Sequence, residues 1–175
     1  EMGQVTYAGA NTYQGVTRIN AGTTLAMAAN ASMSLSGSVV VQGTLDISNG
    51  PGGTFIKTLS GDGLVNLGVQ TLSLTQAQDT FSGTIVGNSG GLSVAGGNLV
   101  LTGNNTYTGV TTVASGASLS MGNSGAISNS VRIVSDGVLD LSRAAGSVQL
   151  AALTGSGQVV LGNNTLTLNG GLGDD

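Results

Sequence analysis

The chain repeats itself. Asn11-Thr12-Tyr13-Gln14-Gly15-Val16-Thr17 returns as Asn105-Thr106-Tyr107-Thr108-Gly109-Val110-Thr111, an offset of 94 residues from Tyr13 to Tyr107. The offset then holds without a gap. Leu25 and Met27 fall on Leu119 and Met121, Gly43, Leu45, Asp46 and Ser48 fall on Gly137, Leu139, Asp140 and Ser142, and Gly61, Gly63, Val65 and Leu67 fall on Gly155, Gly157, Val159 and Leu161. About 27 of roughly 68 aligned positions are identical, so a single segment, 1–175, holds two copies of one unit, at 7–81 and 101–175. An antiparallel sandwich gives every strand its own surroundings and does not favour such a repeat. A solenoid does, because each coil meets the same neighbour above and below.

A finer period runs inside each copy. Thr44-Leu45-Asp46-Ile47-Ser48, Thr71-Leu72-Ser73-Leu74, Leu99-Val100-Leu101, Ser118-Leu119-Ser120-Met121 and Thr165-Leu166-Thr167-Leu168 alternate apolar with smaller or polar residues. Alternation of this kind marks a strand with one face inward and one to water. The strings recur about every 8–10 residues between Gly or Asn, which accept a positive φ. Two-residue hairpin signals are sparse, Asn49-Gly50 and Asp136-Gly137 being the main ones. The predicted fold is all-β, a parallel β-helix of roughly seven coils, with three short strands and roughly 25 residues per coil and about four coils per copy. The predicted inward set is Leu25, Met27, Leu45, Ile47, Val65, Leu67, Leu72, Leu74, Leu99, Leu101, Leu119, Met121, Leu139, Leu141, Val159, Leu161, Leu166 and Leu168.

Composition narrows the function. Only 7% of residues are charged, against roughly a quarter in ordinary soluble domains. Ser, Thr, Asn, Gln and 31 Gly take the place of a charged coat. With 39% hydrophobic residues and a net charge of −4 the chain lies far from the disordered regime. Arg18, Lys57, Arg132 and Arg143 are scattered and outnumbered by eight acids, which argues against nucleic acid as a partner. There is no Cys and no His, so the usual zinc sites, a Ser-His-Asp triad and disulfides are excluded. No cofactor and no metal are expected. No run reaches the about 18 apolar residues of a spanning helix. The opening Glu1-Met2-Gly3-Gln4 and the closing Gly173-Asp174-Asp175 read as the cut ends of a piece of something longer.

The stretch Gly90 to Met121, with Leu99-Val100-Leu101-Thr102-Gly103-Asn104-Asn105-Thr106-Tyr107-Thr108-Gly109 at its centre, closely resembles the autotransporter-associated β-strand repeat, also called the passenger-associated transport repeat. A second likeness runs from Tyr7 to Met27, with Gln14 where the family tends to have Thr. A degraded third lies at Leu72 to Ile85, where Phe81-Ser82-Gly83 stands for Tyr-Thr-Gly. The resemblance implies a right-handed β-helical passenger of a type V secretion system, carried outward by a C-terminal outer-membrane barrel, whose strands would alternate toward lipid and which is not in this sequence. It implies a place outside a Gram-negative cell, as a stalk or adhesin that also supports passenger export and folding. The partners it implies are a host surface or matrix protein, a carbohydrate, or another cell of the same kind. The alternatives are the scaffold of a polysaccharide-acting β-helix enzyme and an ice-binding β-helix.

The side chains that could carry chemistry favour the plainer readings. The acids are Glu1, Asp46, Asp62, Asp79, Asp136, Asp140, Asp174 and Asp175. Asp46 and Asp140 are repeat equivalents, so about four coils at ~4.8 Å separate them by near 20 Å, whereas glycoside cleavage needs carboxyls about 5–9.5 Å apart. Asp136 and Asp140 flank one strand, and Gln42 stands at the match of Asp136, so only the second copy holds that pair. Ser60-Gly61-Asp62-Gly63 resembles a lone calcium-binding turn, but its match Thr154-Gly155-Ser156-Gly157 has no carboxylate. Asn104, Asn163 and Asn30 head glycosylation-type triplets, for which a turn role is expected. Tyr13, Tyr107 and Phe81 are expected to pack over a turn rather than line a carbohydrate stripe. An ice-binding Thr array is expected to fail because Thr23-Thr24 is matched by Ala117-Ser118. No catalytic residue is assigned, and the chain is read as not an enzyme.

Overall fold

The computed structural model describes residues 3–170, and over them the chain winds as a parallel β-solenoid. Glu1, Asp174, Asp175 and the last five residues of the second copy, 171–175, lie outside the described residues. One side is a five-stranded sheet of β1 (Gln4–Tyr7), β3 (Thr24–Met27), β5 (Thr44–Asp46), β8 (Leu64–Asn66) and β11 (Thr84–Val86). A second side is an eight-stranded sheet of β2 (Val16–Ile19), β4 (Ser38–Val41), β7 (Leu59–Gly61), β10 (Thr80–Phe81), β13 (Asn98–Leu101), β15 (Ser118–Met121), β17 (Val138–Asp140) and β20 (Gln158–Val160). The third side is six-stranded, with β6 (Thr54–Ile56), β9 (Thr71–Leu74), β12 (Gly91–Val94), β14 (Thr111–Val113), β16 (Ile133–Ser135) and β19 (Leu153–Thr154). A separate pair, β18 (Val148–Leu150) with β21 (Leu166–Leu168), resumes the side of the five-stranded sheet. The chain visits the sides in fixed order, β5, β6, β7 and then β8, β9, β10, and the ladder pairs between these strands are parallel.

The eight-stranded sheet takes one strand from each coil, giving about eight coils where roughly seven were predicted. The coil is shorter than the predicted 25 residues. Gln4, Thr24, Thr44, Leu64 and Thr84 lie on one rung at steps of 20. Steps of 22 (Thr111 to Ile133) and 18 (Val148 to Leu166) interrupt the regularity. The difference lies in the corners, which need few residues: Gln42-Gly43 alone joins β4 to β5, and Asp62-Gly63 joins β7 to β8. Glycine makes that corner compact enough to stack. A Cβ on Gly63 would collide with the Gly43 carbonyl, one on Gly83 with the Gly63 carbonyl, and one on Gly103 with the Gly83 carbonyl.

The short coil changes how the duplication sits in space. An offset of 94 residues over steps of 20 is about 4.7 coils, not four. The matched strands show the remainder directly. β1 and β3 of the five-stranded side match β13 and β15 of the eight-stranded side, while β2 and β4 of the eight-stranded side match β14 and β16 of the six-stranded one. β6 and β9 match β18 and β21. Each residue of the second copy is therefore turned by a third of a revolution from its equivalent.

The interior is filled by ranks of aliphatic side chains in register. Leu25, Leu45, Val65 and Ile85 form one rank and Leu99, Leu119 and Leu139 another, all buried. Fourteen of the eighteen predicted inward residues are buried, Leu25 through Leu141. The other four are not. Val159, Leu161 and Leu166 are half-buried, and Leu168 is 51% exposed. They belong to the last described coil, on which no further coil stacks among the described residues, so alternation points them inward without a neighbour to cover them.

Candidate functional site

The repeated motif builds a buried hydroxyl relay. Tyr107 lies in the connection between β13 and β14 with no exposed surface. Its OH is 2.7 Å from Thr111 Oγ1, Thr111 Oγ1 donates to Ser130 Oγ at 3.1 Å, and Ser130 Oγ donates to the Gly109 carbonyl at 2.7 Å. Each hydroxyl in this order gives one proton, so Tyr107 donates to Thr111. The first copy repeats it atom for atom: Tyr13 OH to Thr17 Oγ1 at 2.8 Å, Thr17 Oγ1 to Ser36 Oγ at 2.9 Å, and Ser36 Oγ to the Gly15 carbonyl at 3.0 Å. Ser36 and Ser130 come from the following coil. The Tyr-x-Gly-Val-Thr spacing therefore places a phenol and a hydroxyl where the next coil must add a third group.

Burial holds the Tyr107 phenol neutral. Desolvation pushes the Tyr107 hydroxyl up from its ordinary range, against a smaller opposing effect of the hydrogen bond with Thr111. Tyr7, whose OH lies 3.4 Å from that of Tyr13, is pushed up to about 12, first by that hydrogen bond and then by burial. The degraded third motif keeps the backbone arrangement and drops the relay. Ser82 N and Oγ reach the Gly61 carbonyl at 2.9 and 3.2 Å, as Thr108 N and Oγ1 reach that of Gly87 at 3.0 and 3.5 Å. Phe81 and Ile85, both fully buried, stand where Tyr107 and Thr111 stand in the complete motif. Tyr107 and Phe81 are thus packed inside, as expected, and Tyr13 is half-buried.

An asparagine staples the same corner. Asn105, 2% exposed, donates from Nδ2 to the Gly103 and Ala126 carbonyls at 2.9 and 3.1 Å and accepts the Ile85 N–H on Oδ1 at 2.9 Å. One amide thereby ties three successive coils where no regular ladder runs. Asn11 makes the matching bonds to Gly9 O and Ser32 O, both at 3.1 Å. Of the triplet asparagines, Asn30, Asn104 and Asn163 are exposed.

Among the described residues the acids form no cluster of three. Asp46 Oδ1 accepts the Ser48 N–H at 2.9 Å and Asn66 Nδ2 at 3.2 Å, and Asp140 Oδ1 accepts the Ser142 N–H at 2.9 Å. Both close the same local turn at a strand end, but on different sides of the solenoid, because the copies are offset by about 4.7 coils and not four. Hydrogen bonding from Ser142, with Arg143 adding, holds Asp140 below the ordinary carboxylate range. Asp136 is held down likewise by the N–H and hydroxyl of Ser156, each at 3.0 Å. Asp62 is exposed. Its corner is shaped by Gly61, at φ +107°, where a side chain would strike the Val41 carbonyl. Among the described residues no three His, Cys, Asp or Glu side chains come together as a metal site.

Sequence reasoning missed Thr17, Ser36, Thr111 and Ser130. The signal was present, since Ser36 and Ser130 are identical at the repeat offset in a poorly matched stretch. It also tested the Thr array wrongly. Thr23-Thr24 and Ala117-Ser118 lie on different sides, and the rank that matters is Gln4, Thr24, Thr44, Leu64, Thr84, which Leu64 interrupts.

A three-sided parallel solenoid with one buried corner motif used twice defines the class of protein. Residues 3–27 and 96–120 match the family model described as passenger-associated-transport-repeat, so the chain carries two such repeats. Both matched segments contain the relay tyrosine, its threonine's strand and the stapling asparagine. Comparison with curated proteins and with solved structures returns no match. Repeats and fold together fit a segment of an autotransporter passenger.

Proposed function

We propose that the chain is a non-catalytic segment of a passenger displayed outside a Gram-negative cell by type V secretion, acting as a stalk or adhesive surface, whose repeats help the passenger fold as it leaves. The observation that carries this reading is the relay. In both copies a phenol, fully buried at Tyr107 and half-buried at Tyr13, and a buried threonine are completed by a serine from the next coil, about 20 residues on. An incomplete relay leaves buried polar groups unpaired, so docking of each coil is rewarded at once and misregistration is penalised. A chain folding outside, without ATP-driven chaperones, benefits from such a local check. Of the three outward carboxylates with described bonds, Asp46 and Asp140 close local turns and Asp136 holds Ser156 of the next coil, which supports a scaffold rather than an enzyme.

The test is deletion of Leu99 to Met121 from the parent protein, compared with the outward substitution Thr102→Ala. Antibody labelling of intact cells, with and without added protease, should show less surface passenger and less protease resistance for the deletion alone. If the deletion displays normally and only adhesion falls, the segment is a binding site and the folding role is wrong.

A further inference from the structure

The side of the solenoid that carries β18 is broken at one place. Asn104 bridges Ala126 in the coil above it, and β18 pairs with β21, yet no backbone hydrogen bond joins residues 126–128 to 147–150. The same two coils stay paired elsewhere, through β15 with β17 and β16 with β19. They splay on this side only, and open a groove of about 320 Å³ between residues 121–128 and 144–149. Met121 and Ile127 form an apolar floor, Asn123, Ser128 and Ser147 an uncharged rim, and among the described residues no aromatic ring or charged group lines it. Along β18 the Val148 N–H and the Leu150 carbonyl go to the next coil, bonding Thr165 O at 2.8 Å and Asn169 N at 2.9 Å. Successive residues of a parallel strand bond to opposite sides. The N–H and carbonyl of Gln149 therefore face the groove.

The first copy has the same break, between Ser32, bridged to Ala10, and β6, but covers it. Gly50 and Thr54 are buried there, whereas their matches Ala144 and Val148 are half-buried. Gly50 lies so close over Met27 that a Cβ would stand 3.6 Å from the Met27 Cβ and 2.9 Å from the Ile47 carbonyl. Ala144 carries that Cβ and lines the groove beside Met121, the match of Met27. Asn164, the match of Gln70, grips the loop from the outer coil, donating from Nδ2 to Leu141 O at 2.7 Å and Ala144 O at 3.1 Å. Between the copies glycine becomes alanine at the loop, and glutamine becomes asparagine where the outer coil grips it.

We propose that this groove binds an extended, uncharged peptide segment of a partner protein, which pairs by its main chain with Gln149 and seats a small apolar side chain on Met121 and Ile127. A strand edge offering both donor and acceptor recognises another strand. Without an aromatic platform the groove lacks the usual surface for a sugar ring, and without charge it has nothing to select an ionic ligand. This site is independent of the export-and-folding role, and its test uses the purified chain.

The probe is a short fluorescent peptide of alternating valine and threonine, blocked at both ends, followed by anisotropy and by amide hydrogen exchange. Saturable binding should slow exchange at Gln149 about tenfold or more, and Ala144→Gly with Asn164→Gln, which restores the first copy's residues at both positions, should weaken affinity at least about tenfold. Ala126→Phe, which fills the groove from its wall, should do the same if the first variant folds poorly. A peptide N-methylated along its pairing edge should not bind. The proposal is overturned if millimolar peptide leaves Gln149 unprotected, if the variants bind as well as the parent, if cellohexaose protects Gln149 where the peptide does not, or if Gln149 becomes protected with rising protein concentration alone, which would make a second copy the occupant.

Discussion

The relay yields a sharp energetic prediction, because the molecule already contains its apolar version. Thr111→Val removes the only acceptor of a phenol that has no exposed surface. An orphaned buried hydroxyl costs about 1–3 kcal/mol. Tyr107→Phe is milder, because Thr111 keeps its bond to Ser130, and only one net hydrogen bond of about 0.5–1.5 kcal/mol is lost. The double variant places a Phe and a β-branched aliphatic where Phe81 and Ile85 already stand in the third motif. Removing donor and acceptor together should therefore cost less than the sum of the single changes, by about 0.5–3 kcal/mol, the range for residues in direct contact. Urea unfolding followed by circular dichroism and by exchange at the β14 amides would measure the cycle, the second probe because solenoids can unfold in parts. Each kcal/mol corresponds to about 2–4 °C in Tm for a chain of this length. Additivity within about 0.3–0.5 kcal/mol would show that the three hydroxyls do not act as a unit.

Three further outcomes are expected. Leu139→Asp, at a fully buried position, should cost several kcal/mol, whereas Ser120→Asp on the outward rank of β15, in register with Asp140, should cost no more than about 1 kcal/mol; equal denaturation midpoints would mean the faces are misassigned. Gly63→Ala should destabilise strongly, because its Cβ meets the Gly43 carbonyl, and Gly52→Ala, which meets nothing within 4 Å, should be near neutral in the same melting experiment. Tyr7 and Tyr107 have raised folded pKa values, so their contribution is fully present below the unfolded phenol pKa of about 10 and is lost as pH rises through the folded values. A melting series from neutral to alkaline pH should fall above that point, and less steeply in Tyr107→Phe; an unchanged slope in that variant refutes the assignment.

Side-chain period and repeat offset made the fold class and most of the core readable, since inward positions obey alternation wherever their strand lies. Coil length was not readable to the same degree. Alternation marks strands but not the two-residue corners between them, and a corner such as Gln42-Gly43 works only because Gly63 and Gly83 stack on it at steps of 20. The relay was half legible: Tyr107 and Thr111 sit in one short motif, but Ser130 lies 19 residues beyond Thr111, and its role appears only once coils are stacked. The end residues failed for a different reason, because Leu166 and Leu168 alternate as a buried strand does and only an absent neighbour exposes them among the described residues.

The third-turn offset between copies explains which repeat identities persist without a shared face. An inward leucine meets much the same core from any side, so Leu45 and Leu139 are equivalent although their strands belong to different sheets. Outward residues have no such equivalence, and a binding stripe copied along the sequence would be scattered around the axis. An outward identity can persist where a local device justifies it. Asp46 with Ser48 and Asp140 with Ser142 close the same turn within three residues, a device that works on any side. Other positions differ between the copies, as the buried Gly50 and the half-buried Ala144 do. Those positions are free to build a surface that belongs to one copy alone, which is why the groove at Gln149 is the place to look for recognition.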